Sequence, residues 1–111
     1  MNQTLRQDAD RIVRSAIARV MPGEAVRRAL EDRSFGPGRL ILVSAGKAGW
    51  SMGRAAWDCL GDKISEGIVI TKHGQAEGPI GPLLVREAGH PVPDGGTFSA
   101  TAEALELTQG L

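Results

Sequence analysis

The feature that most constrains the fold is a run of four consecutive apolar residues, Leu40-Ile41-Leu42-Val43, that passes directly into Ser44-Ala45-Gly46-Lys47-Ala48-Gly49-Trp50-Ser51-Met52-Gly53. Apolar residues without alternation imply a strand covered on both faces, as in the middle of a parallel sheet flanked by helices. After the glycines, Ala55, Ala56, Cys59 and Leu60 continue at helical spacing until Gly61. The segment therefore reads as central strand, glycine turn, helix.

The flanking segments extend the pattern. A second strand is expected at Gly67-Ile68-Val69-Ile70, ending in the polar cluster Thr71-Lys72-His73-Gly74, and a third at residues 83–87, ending in Ala88-Gly89-His90-Pro91-Val92-Pro93-Asp94. Upstream, Leu5, Ala9, Ile12, Val13, Ala16, Ile17 and Val20 form one stripe of an amphipathic helix that Pro22 and Gly23 should stop near Met21. Ala25, Val26, Ala29 and Leu30 suggest a short second helix. Thr97 can cap a last helix with Ala100, Ala104, Leu107 and Leu111 on one face. The order argues for an open, mostly parallel α/β sheet of the Rossmann-like kind. Three parallel strands leave open edges, so the 111 residues read as a partial N-terminal portion of a longer protein.

Composition narrows the function. Lys plus Arg and Asp plus Glu number 13 each, so there is no basic field of the kind that drives nucleic-acid binding. Cys59 is the single cysteine, which excludes an internal disulfide or a cysteine metal cluster and fits a reducing cytoplasm. Neither a signal peptide nor a membrane span is expected. The 15 glycines are about double the usual share of roughly 7%, which points to tight turns or close backbone approaches.

Open α/β sheets bind ligands beyond the carboxyl ends of their strands, so the three strand ends are the candidate sites. Gly46-Lys47-Ala48-Gly49 combines backbone access, a helix N-terminus and a mobile cation, which suits a carboxylate or phosphate. Its glycines, at 46, 49 and 53, match neither the dinucleotide fingerprint nor a Walker A loop. They serve equally well to pack helix against strand, and Gly53 is assigned to packing. Thr71, Lys72 and His73 read as a solvated turn before they read as a site. Glu87, His90 and Asp94 lie on a proline-stiffened loop that can either hold a substrate or shape the connection, with Asp94 as the helix cap. His90 precedes Pro91 and so is extended or in a turn, with a cis bond open to it. Trp50 and Trp57 are expected in the core or an interface, and Cys59 as a buried apolar side chain. No set of side chains has metal-ligand spacing.

Taken together, LVSAGKAGWSMGRAAW, EGIVITKHG and VREAGHPVPDGGTFSATAEAL resemble, in order and spacing, the N-terminal domain of the bacterial glycerate 2-kinases, a family labelled hydroxypyruvate reductase in older naming. The resemblance is strong from Arg39 to Leu107. It implies ATP-dependent phosphorylation of D-glycerate to 2-phosphoglycerate with Mg2+, between a Rossmann-like domain and a smaller C-terminal domain. On that likeness Lys47 is the catalytic lysine, orienting the glycerate carboxylate or steadying the transferred phosphoryl group. Gly46, Gly49, His90 and Asp94 would border the glycerate pocket, and no nucleotide-binding residue is assigned.

The family's glycine- and serine-rich phosphate loop and its second domain, with its arginine, are absent from these 111 residues. The isolated chain is therefore expected to lack kinase activity and to bind glycerate and ATP weakly or not at all. The resemblance leaves a homo-oligomer open. Two other functions are carried forward: an NAD(P)-linked hydroxypyruvate reductase, disfavoured because Thr71 and Lys72 stand where an acidic ribose ligand is expected, and a non-catalytic sugar-phosphate-binding module.

Overall fold

The computed structural model describes residues 2–111. Its elements are α1 (Gln3–Val20), α2 (Pro22–Leu30), β1 (Ile41–Ala45), α3 (Gly49–Leu60), β2 (Glu66–Lys72), β3 (Leu84–Ala88) and α4 (Gly95–Leu107), with one 3-10 turn at Gly61–Lys63. The strands form a single parallel sheet in the order β1-β2-β3. The open α/β architecture expected from the sequence is thus present.

One expectation is corrected. The central strand is β2, not the apolar run at 40–43, and β1 lies at an edge. Ile68 and Val69 of β2 have no exposed surface, whereas Val43 of β1 is 45% exposed. The continuous apolar run signals a strand built for two covered faces, and in these residues only one of its faces is covered. Val43 pairs in register with Ile68, so it lies on the α4 side of the sheet, but α4 packs on β2 and β3 and leaves β1 bare there.

Each face of the sheet has its own cover. Val69 packs with Ile64, Ile80 and Leu83, against which Trp50, Trp57 and Leu60 of the α3 side are laid. Strand alternation then puts Ile68, Ile70 and Lys72 on the opposite face, under α4. β2 reaches β3 without a helix. Residues 73–83 make the crossover as an irregular segment held against α3: Trp50 Nε1 donates to the Gly78 carbonyl at 2.8 Å, and a Cβ at Gly81 would fall 2.6 Å from Cε2 of Trp57. Both tryptophans are therefore half-buried packing residues, as expected, and they substitute for the helix that a parallel crossover usually supplies.

Several local details differ from the sequence reading. Pro22 does end α1, but it is also the first residue of α2, where its missing N–H costs nothing. β2 extends through Thr71 and Lys72, so these belong to the strand and not to a turn. Of the two caps the sequence offered for α4, Asp94 takes the role and Thr97 does not: it returns the bond as the capping-box partner. Cys59, expected to be buried, is exposed, in a groove shared with Arg27, Arg28, Arg33 and Lys63. Cys59 is on the face of α3 turned away from the sheet, so helical spacing alone misplaced it.

α1 has no buried residue. Its stripe of Leu5, Ile12, Val13, Ile17 and Val20 is 54–77% exposed, and the helix touches the rest of the described residues mainly through α2.

Candidate functional site

The carboxyl ends of the three strands converge on a crevice of about 180 Å³. Ile70 forms part of its floor, and Gly46, Lys72, Gly89, His90, Thr97 and Thr101 are among its walls. It lies on the α4 face, which strand alternation gives to Ile70 and Lys72 and to which Thr97 and Thr101 descend from α4.

The turn after β1 is stitched to β2. Gly46 has φ +123°, a conformation that side chains disfavour, and its N–H donates to the Ile70 carbonyl at 3.0 Å. The Thr71 hydroxyl, on a residue only 2% exposed, donates to the Lys47 carbonyl at 3.3 Å. Gly49 has a different role: a Cβ there would lie 2.8 Å from the Ile70 carbonyl oxygen and 3.3 Å from that of Ser44. It lets α3 start in direct contact with the backbone of two strands, and Gly53, one turn later, makes room for the side chain of Val69. No side chain caps α3, so the first-turn N–H groups beyond Gly49 are not taken up by a capping side chain.

Lys47 is exposed, adjoins Gly46 in the chain, and is not itself in the crevice wall. Neither Lys47 nor Lys72 has a carboxylate partner among the described residues. Both ammonium groups are available to an anion.

The loop after β3 is ordered around Asp94. Its Oδ1 accepts from the Gly89 N–H (3.0 Å), the Thr97 N–H (3.1 Å) and the Thr97 hydroxyl (3.3 Å), while Oδ2 lies 2.7 Å from His73 Nε2. The His73 contact first, then the Gly89 and Thr97 N–H groups, hold the Asp94 carboxyl well below the usual carboxylate range. An ionised carboxylate only accepts, so His73 donates to it through Nε2. Glu87 ties down the same region, its Oε2 accepting from the Gly74 N–H at 3.0 Å and the Ala76 N–H at 3.1 Å.

Of the residues singled out in the sequence, the crevice brings Gly46 and His90 together. Gly49 lies beneath the turn as a packing residue, and Asp94 lies outside the crevice wall as the organiser of the loop that carries His90. His90 is exposed, and its bond to Pro91 is cis. Sequence reasoning weighed Lys72 and His73 together with Thr71 and favoured a solvated turn; the structure instead puts Lys72 in the wall and pairs His73 with Asp94. Had β2 been extended by two positions, its alternation would have found Lys72; nothing in the sequence indicated the His73 pairing across 21 positions.

The strand-turn-helix fold is shared with known proteins. A family model described as Domain of unknown function (DUF4147) matches residues 8–111. The chain belongs to this family. It is 44% identical over 109 residues to the D-glycerate 2-kinase of Thermotoga maritima, a match covering 98% of this chain and 26% of that protein. A crystal structure of glycerate kinase from the same organism superposes with a TM-score of 0.90 over 99% of this chain and 26% of the other. A Pyrococcus horikoshii structure superposes with a TM-score of 0.80 at 29% identity, covering 96% of this chain and 26% of that one. An Agrobacterium vitis protein with a provisional hydroxypyruvate reductase name is 38% identical over 106 residues, 96% of this chain and 24% of that protein. The DUF4147 chain thus spans about a quarter of the length of these relatives. The resemblance to the N-terminal domain of the glycerate 2-kinases is borne out.

Proposed function

We propose that this DUF4147 chain forms the glycerate-binding portion of a kinase that transfers a phosphoryl group from ATP to D-glycerate, giving 2-phosphoglycerate. The observation that carries the reading is the crevice where all three parallel strands end, with Lys72 in its wall and Lys47 in the adjoining turn, both without a carboxylate partner among the described residues, in a chain 44% identical to a D-glycerate 2-kinase. A crevice of about 180 Å³ falls short of the roughly 300–1,000 Å³ that drug-sized ligands occupy, so it suits a three-carbon acid and not a nucleotide. Lys47, beside the uncapped start of α3, is the proposed catalytic cation, placed to steady negative charge on the transferring group.

The residues here do not compose a Mg2+ site. Glu87 at the end of β3 and Asp94 at the start of α4 are already engaged by N–H donors, and no group of three metal-ligating side chains forms among the described residues. The divalent ion is proposed to arrive on the nucleotide phosphates, held mainly by parts of the protein that these 111 residues do not include. The chain is proposed to be inactive alone for the same reason.

The reductase reading receives some support from the name of the Agrobacterium vitis relative. It requires an acidic residue at the end of β2, and β2 ends in Thr71 and Lys72. A chimera in which residues 1–111 replace the matching quarter of the Thermotoga maritima enzyme separates the two. Formation of 2-phosphoglycerate from D-glycerate and ATP supports the kinase; NAD(P)H-dependent reduction of hydroxypyruvate without phosphorylation overturns it.

A further inference from the structure

The geometry points to Lys72 as the residue that takes the carboxylate of the small hydroxy acid in the α4-face crevice, leaving Lys47 to the phosphoryl group. This inference rests on the kinase reading given above.

Three observations carry it. Alternation along β2 puts Lys72 on the same face as Ile68 and Ile70, which is the face of the crevice, and Lys72 is part of its wall. Lys47 belongs to the turn that enters α3, the helix covering the other face, and lies outside that wall. The second cation on the α4 face of the strands, Arg86, is neutralised by Glu103 of α4 at 2.9 Å, whereas Lys72 has no such partner among the described residues. Among the described residues, Lys72 is thus the unpaired positive charge of the crevice. The same crevice is lined by Thr101 and the exposed His90, whose hydroxyl and imidazole are groups able to hydrogen-bond the two hydroxyls of a three-carbon acid.

The arrangement divides the labour between the lysines. A carboxylate held at Lys72 fixes one end of the acid at the end of β2, and its hydroxyl carbon then extends toward Gly46 and the start of α3, where Lys47 stands. One lysine binds in the ground state; the other meets charge that develops during transfer.

The test is an amide and side-chain NMR titration of the chimera, which joins residues 1–111 to the rest of the Thermotoga maritima enzyme, with D-glycerate, and with glycerol as the probe lacking a carboxylate. Saturable shifts at Gly46, Gly89 and Thr97 are expected with glycerate and absent with glycerol. Lys72→Met should weaken the dissociation constant roughly tenfold or more, as loss of a charge-assisted hydrogen bond does, while Lys63→Met, on the 3-10 turn, leaves it unchanged. A dissociation constant within about twofold of the parent in Lys72→Met, equal shifts with glycerol, or no saturable shift at all overturns the assignment. Loss of binding in Lys47→Met with retention in Lys72→Met moves the carboxylate to Lys47. None of these outcomes touches the kinase reading, which stands or falls on phosphorylation by the chimera.

Discussion

The Nε2 of His73 lies 2.7 Å from Oδ2 of Asp94, joining the end of β2 to the N-cap of α4. One carboxylate thereby caps a helix, holds the Gly89 backbone and anchors the imidazole of a neighbouring strand end. Replacing Asp94 by Asn should lower the melting temperature at neutral pH and quicken amide exchange at Gly89 and Thr97. Because the folded-state pKa of Asp94 is depressed, its stabilisation is present above the ordinary carboxyl range and is lost as pH falls through the folded value. The melting difference between parent and Asp94→Asn should therefore shrink on going from neutral pH into strong acid; a gap that widens in acid would contradict the pairing.

The contact of Gly49 with Ile70 gives a second prediction. Gly49→Ala forces a Cβ to within 2.8 Å of the Ile70 carbonyl oxygen and should cost about 1–3 kcal/mol in urea unfolding. Gly95→Ala, at a helical position with open space around it, should be neutral or stabilising by at most about 1 kcal/mol.

Trp57 should behave as the anchor of the helix-free crossover. Trp57→Ala opens space between α3, Gly81 and the core around Ile80, and is expected to cost on the order of 3 kcal/mol. Hydrogen exchange should accelerate across residues 73–83 more than in β1.

α1 should contribute little to the stability of the sheet. Ile12 and Ile17 are 68% and 54% exposed, so Ile12→Lys with Ile17→Lys should shift the unfolding free energy by less than about 0.5 kcal/mol, as read from denaturant midpoints.

The parts of this fold that rest on local chemistry were legible in the sequence. Gly61 ends α3, Pro22 separates α1 from α2, and the glycines at 46, 49 and 53 sit where a strand turns into a helix. What could not be read were features that depend on neighbours distant in the chain. The run at 40–43 looks central because its composition suits two covered faces, yet sheet order is set by where β2 and β3 pair. Asp94 was identified both as a loop carboxylate and as a cap, but its bond to His73 exists only because β2 and β3 bring residues 73 and 94 side by side. Cys59 carries an apolar label and a helical spacing that say nothing about which face of α3 meets the sheet.

The proposed role of Lys47 is tested most directly by steady-state phosphorylation of D-glycerate by the chimera and its Lys47→Ala variant, with unfolding midpoints measured on both. An exposed lysine beside an uncapped helix start should lower kcat on the order of 100-fold when removed, with the unfolding free energy changed by less than about 0.5 kcal/mol. A kcat within about twofold of the parent chimera, or a loss of activity matched by an equal loss of folded protein, would contradict it.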